Sequence, residues 1–199
     1  MYTLYFSPGA CSLATQVILR EINQPFELVN KSKVADFSSI NPIGAVPVLA
    51  TKDKIFTEGA AIILHLLDQH PNDLLPGEGL MRTQSIEHLL FANATMHPAY
   101  SKLFFINNAL EDSPAKQQAF DKAAAQVGKL WQVVEDKLDG LYLNGKHLSP
   151  AEILLAVYAS WGQYFPVDIA VGPQAQAMID HVSARASYQA SLAAEQQAG

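Results

Sequence analysis

The sequence predicts an α/β domain followed by an all-helical domain, and three observations carry that expectation. A short β-prone run, Thr3 to Phe6, is followed by an apolar helical pattern and then by a second β-prone run, Phe26 to Val29. From His70 the composition shifts to Pro71, Asn72, Asp73, Pro76, Gly77 and Gly79, which reads as a linker. Beyond that linker the pattern is helical almost to the end. The expected division is therefore 1–76 for the first domain and 80–199 for the second. With 49% of its 199 residues hydrophobic, the chain has enough apolar surface for a sizeable core.

The elements follow in order. Ser7-Pro8-Gly9 breaks the first strand with turn chemistry. Leu13, Val17 and Ile18 then mark one face of a helix that opens near Cys11 and Ser12 and cannot continue past Pro25. A whole helix between the first two strands implies a parallel pair joined by a right-handed crossover. Asn30 to Ser39 is polar, with a weak helical turn expected around Val34 to Phe37. Asn41 to Gly44 is a turn, and Val46 to Leu49 reads as a strand containing Pro47. Proline cannot donate to a ladder, so it belongs at an edge, a strand start or a bulge; the residues leave the Val46–Pro47 bond open to the cis as well as the trans form. A polar turn, Thr51 to Lys54, leads into Ile55-Phe56, and Thr57-Glu58-Gly59 opens another helix.

In the second half a long helical stretch from about Leu80 to Leu110 should kink at Pro98. Ser113-Pro114 opens a helix reaching about Leu138. Leu148-Ser149-Pro150-Ala151-Glu152-Ile153 is the strongest local signal: Ser149 as N-cap, Pro150 as first helical residue, Glu152 completing a capping box, and Leu148 with Ile153 as a hydrophobic staple. The helix it opens is apolar nearly all round, so it should be central to the second domain. The last segments, near Pro173 to Ala184 and Tyr188 to Glu195, read as surface helices.

A net charge of −6 without a Lys/Arg cluster argues against nucleic acid and anionic membranes as partners. One cysteine forms no internal disulfide. The N-terminus lacks the basic region of a secretory signal. The longest apolar stretch, Ile153 to Ala159, is far short of the ~20 residues of a membrane span. A cytoplasmic protein is expected. Cys11 sits where unpaired N–H groups and the helix dipole favour a thiolate, so a lowered pKa is expected. A small apolar residue filling a gap is the other reading of the same position.

Four motifs in order give a more specific likeness: Ser7-Pro-Gly-Ala-Cys-Ser12, Asn41-Pro-Ile-Gly-Ala-Val-Pro47, Thr57-Glu-Gly-Ala-Ala-Ile62 and Ser149-Pro-Ala-Glu152. The first half resembles a thioredoxin-like fold, and the whole resembles the glutathione transferase superfamily. With Met96-His97-Pro98-Ala99-Tyr100, the first motif resembles the bacterial beta class, in which a cysteine and a histidine face the glutathione sulfur.

The resemblance implies Cys11 and His97 as catalytic residues. It implies Val46, Glu58 and Gly59 as glutathione-binding residues, with Lys33 or Lys31 near the glycyl carboxylate. It further implies glutathione as co-substrate, a hydrophobic electrophile, a homodimer and no metal. Tyr5 reads as core or support, and Trp161 and Tyr164 as core rather than substrate contacts. Ile43 and Leu90 depart from the class, which commonly has lysine and asparagine there. Three functions stay open: conjugation of glutathione to hydrophobic electrophiles, thiol–disulfide exchange through Cys11, and a non-catalytic binding or regulatory role.

Overall fold

The computed structural model describes residues 1–198. Strands β1 (Tyr2–Phe6), β2 (Phe26–Asn30), β3 (Val48–Ala50) and β4 (Ile55–Phe56) form one sheet in the order β2-β1-β3-β4. β1 and β2 are parallel, as the intervening helix α1 (Ser12–Glu21) requires, and β3 and β4 add antiparallel. Leu4 and Phe6 of β1 are fully buried. β3 starts at Val48, two residues later than the apolar run, because Pro47 has no N–H to give to the ladder. The Val46–Pro47 peptide is cis.

One local expectation fails in the segment after β2. The turn expected over Val34 to Phe37 does not form: Val34 to Asp36 is not helical, and short 3-10 turns lie on either side, at Lys31–Lys33 and Phe37–Ser39. Asn30 and Asp36 cap them, their side chains accepting from the N–H groups of Ser32 and Ser39. Such side-chain bonds compete with a continuous helix and favour isolated turns.

The helices after β4 are α2 (Gly59–Gln69), α3 (Gly79–Leu90), α4 (His97–Ala109), α5 (Pro114–Lys137), α6 (Pro150–Ser160), α7 (Pro173–Ser183) and α8 (Ala186–Ala198). No helix among the described residues is long and apolar enough to cross a membrane. α3 and α4 are joined by a π-helical turn, Phe91–Met96. The disturbance expected at Pro98 takes this form: its ring would collide with the carbonyl four residues earlier, so the helix takes up an extra residue just ahead of it. The described sheet lies entirely before α2, and from Gly59 onward the β structure among the described residues is confined to isolated bridges between Asp139 and His147.

α1 is the most enclosed helix of the first half. It packs on β1 and α2, and also on α6 and α8. Eight consecutive residues, Ser12 to Leu19, are buried in consequence. The last helices are thus not simply surface helices. α7 buries Ala175, Met178, Ile179 and Val182, and α8 returns to α1 and β2 and buries Glu195.

α6 is apolar all round and buried from Pro150 to Tyr158. Its start carries the capping box. Ser149 Oγ accepts from the Ala151 N–H at 3.3 Å, and Glu152 accepts from the Ser149 N–H at 2.8 Å and from Ser149 Oγ at 2.6 Å. The other carboxylate oxygen accepts from the Leu143 N–H at 2.9 Å, so Glu152 also fixes the turn region before the helix. Burial raises its pKa, and these hydrogen bonds oppose the rise. Ser149→Ala should cost about 1 kcal/mol of stability, the usual loss of an N-cap. Glu152→Ala should cost more, about 3 kcal/mol, because it strands two buried N–H groups. Urea unfolding of both variants checks this; equal losses would show that the carboxylate does not tie the turn to the helix.

Candidate functional site

The site is built on the loop between β1 and α1. The Ala10 N–H closes a turn on the Ser7 carbonyl at 3.0 Å, and Gly9 takes φ +70°. A Cβ there would be strained and would lie 3.1 Å from the Tyr164 hydroxyl. The Gly9 peptide is held from both ends of its residue. Its N–H donates to Glu195 Oε2 of α8 at 2.9 Å, and its carbonyl accepts from Trp161 Nε1 at 2.7 Å. Gln16 Nε2 donates to the other Glu195 oxygen at 2.6 Å. Burial raises the Glu195 pKa against these two bonds.

Cys11 follows as the N-cap of α1. Its thiol is partly buried and donates to the Val46 carbonyl at 3.3 Å. The expected activation is not found. Burial pushes the thiol up to about 11, although the backbone N–H groups of Cys11 and Ser12 lower it. Desolvation of the charged form exceeds the helix-terminus effect here. Cys11 is thus a neutral thiol and a hydrogen-bond donor at pH 7.

Two cavities meet at this thiol. One is a cleft of about 230 Å³ whose walls include Val46, Glu58, Gly59, Asn93 and Tyr158. The other is an open, mainly apolar pocket of about 560 Å³ between the loop and the helices, walled by Phe104, Trp161 and Tyr164. Cys11 and His97 line both. The His97 ring lies edge-on to Tyr158 and Trp161, with centroids 5.2 and 5.3 Å away. Burial lowers its pKa, so the imidazole is neutral at pH 7. Glu58, at the start of α2, has φ +68°, a conformation rare for a side-chain-bearing residue and typical of ligand-holding positions. Among the described residues, no group of three or more His, Cys, Asp or Glu side chains is placed to hold a metal.

Of the sequence-derived residues, Cys11, Val46, Glu58, Gly59 and His97 all line the cleft, and Lys33 does not. Lys31 Nζ donates instead to the Gly44 carbonyl at 3.0 Å, bracing the turn before Val46. Ile43 lines the cleft and is exposed. Tyr5 packs on Phe37 outside both cavities. Trp161 and Tyr164 are not only core: both wall the apolar pocket, and Tyr164 is half exposed.

Asn93, Thr15 and Tyr158 were not singled out by the sequence. Leu90, seven residues before His97, would share its face in a regular helix. The extra residue of the π turn rotates Leu90 out of the site, where it is exposed, and brings Asn93 in. Asn93 Oδ1 is 3.5 Å from where a Cβ on Gly59 would sit. Thr15 could have been found as the residue one turn after Cys11 on the same face. Tyr158 carries no such signal in an all-apolar helix.

Residues 2–74 match the family described as glutathione S-transferase, N-terminal domain. The glutathione S-transferase GST-4.5 of Xanthomonas campestris pv. campestris is 32% identical, the match covering 96% of this chain and 98% of the relative. Among solved structures, a sphingomonad glutathione S-transferase complexed with glutathione superposes with TM-score 0.83 at 33% identity, covering 98% of each chain. A bacterial beta class enzyme of that name from Sphingomonas chungbukensis gives TM-score 0.81 at 30% identity, covering 97% of this chain and 98% of the other.

The buried thiol makes a distinct kinetic expectation. Below its pKa the thiolate fraction grows about tenfold per pH unit, so alkylation of Cys11 by iodoacetamide should keep accelerating up to about pH 10. A rate plateau near neutrality would mean that the thiol is activated after all.

Proposed function

Because this chain belongs to the glutathione S-transferase family and resembles its bacterial beta class, we propose that it joins glutathione to apolar electrophiles where its two cavities meet. The observation that carries this reading is that Cys11 and His97 line both the cleft and the apolar pocket. A nucleophile held in one cavity therefore faces a substrate held in the other.

In this reading residues 1–76 supply most of the glutathione side and 80–199 most of the electrophile side. The γ-glutamyl end lies at the start of α2. Its carboxylate meets the free N–H groups of the first helical turn and its ammonium meets Glu58. Asn93 supplies the polar contact that Leu90 does not. The cysteinyl part pairs with the Val46 backbone, which sets its sulfur beside Cys11. Lys33 and Lys31 lie toward the glycyl end, with Ile43 an apolar neighbour there. The kinship supports a homodimer acting in the cytoplasm as the working form.

The chemistry suits neutral side chains. Glutathione's thiol loses its proton to the neutral His97 or to solvent, and the thiolate is stabilised by donors around it. Its sulfur forms a bond to the electrophilic carbon, and the leaving group departs with its electron pair, as chloride does from an aromatic chloro-nitro compound. The Cys11 thiol donates to that sulfur rather than attacking, since burial holds it protonated. The same burial disfavours thiol–disulfide exchange, which needs a Cys11 thiolate.

Both reactions are assayed on the same two variants, with a chloro-nitro-aromatic electrophile and with a small mixed disulfide. Cys11→Ala should keep measurable conjugation, and the slow exchange expected of the wild type should fall to background. His97→Ala should lower conjugation by about tenfold or more, less than the loss of a sole general base because solvent also takes the proton. Loss of both activities in Cys11→Ala would mean one shared cysteine mechanism. A wild-type protein that neither conjugates nor binds glutathione would leave the non-catalytic reading.

A further inference from the structure

The cleft wall holds two buried hydroxyls that the proposed conjugation chemistry does not use. Tyr158 Oη and Thr15 Oγ1 make no hydrogen bond among the described residues. Tyr158 is 0% exposed and Thr15 1% exposed. Both line the cleft that holds Cys11 and His97. An unpartnered buried hydroxyl costs stability, and a fold has no packing reason to keep it where phenylalanine or valine would fit.

The geometry points to Tyr158 as a further catalytic residue, whose hydroxyl donates a hydrogen bond to the glutathione sulfur in the cleft. This rests on the glutathione reading and adds a residue to it. The ring is held in one orientation, lying edge-on to His97 and packing against Trp161 with a centroid distance of 4.7 Å. Its backbone sits on α6, the buried helix that opens on the capping box, so the hydroxyl is presented by a rigid element. Burial holds the phenol far above its ordinary pKa, and negative charge on Cys11 would raise it further. Tyr158 is therefore a permanent donor and never a base. A donor aimed at a thiolate favours the charged form and lowers the thiol pKa. The other titratable groups lining the cleft are Cys11, Glu58 and His97. Thr15, one helical turn beyond Cys11, is the second free hydroxyl of the same wall.

The test is Tyr158→Phe in the full chain, which removes one oxygen and no packing. Calorimetry gives glutathione affinity, thiolate absorbance gives the pKa of the bound thiol, and the acid limb of kcat/KM gives it independently. At a pH below both thiol pKa values glutathione affinity should stay within about twofold, while the thiol pKa and the acid limb move up together by about one pH unit, which is tenfold less thiolate in that range. The melting temperature should be unchanged or higher. An unmoved thiol pKa and acid limb, with glutathione bound, would overturn the role of Tyr158 and leave the transferase reading standing. A lowered melting temperature or a failure to fold would mean that the hydroxyl has a structural partner, and would also overturn it. A wild-type protein that binds no glutathione would overturn the transferase reading, and the role of Tyr158 with it.

Discussion

The grip on the Gly9 peptide is the interaction on which the rest of the site depends. One residue of the loop after β1 gives its N–H to Glu195, near the end of the chain, and its carbonyl to Trp161, just past the central helix. Both contacts are with elements far away in sequence, and both are partly or fully withdrawn from water. They set the distance between the loop and the helices, and hence the width of the apolar pocket. They also set where α1 begins and where the Cys11 thiol lies. Glycine is needed because φ is positive and Tyr164 leaves little room for a Cβ.

Enclosure of that loop explains the electrostatics. The start of a helix favours a thiolate, but the packing around the loop partly buries the thiol, and desolvation exceeds the helix-terminus effect. His97 is shifted toward neutrality for the same reason. The result is a set of neutral donors and acceptors around the point where the two cavities meet. Such a set costs little to bury and can stabilise a charge that arrives with a ligand. The unpartnered hydroxyls of Tyr158 and Thr15 fit that logic, since their cost is borne by the free protein and recovered on binding.

The helix ahead of His97 shows how backbone geometry selects side chains. Pro98 cannot complete an α-helical turn, and the chain widens into a π turn before it. One extra residue shifts the register of everything upstream. Asn93 enters the cleft and Leu90 leaves it. A position-by-position comparison of sequence would count Leu90 as a lost polar contact, whereas the fold supplies an amide from three residues along.

Much was legible in the residues alone. The β-α-β start, the break at Pro47, the capping box at Ser149 and the switch to helices after the linker are all short-range patterns, fixed by turn chemistry and hydrophobic period. The motifs also pointed to Cys11, Val46, Glu58, Gly59 and His97, which the fold brings to one cleft. What the sequence could not decide was burial at long range. Glu195 looked like a solvated helix residue until α8 folded back on α1. Lys33 ends one of the short capped turns after β2 and lies outside the cleft lining. The thiol pKa followed desolvation rather than helix position, and Tyr158 became a candidate only because none of the described residues bonds its hydroxyl. Local pattern reports which groups a segment offers. Whether each is wet, paired or stranded depends on elements distant in sequence, and only the tertiary structure brings those together.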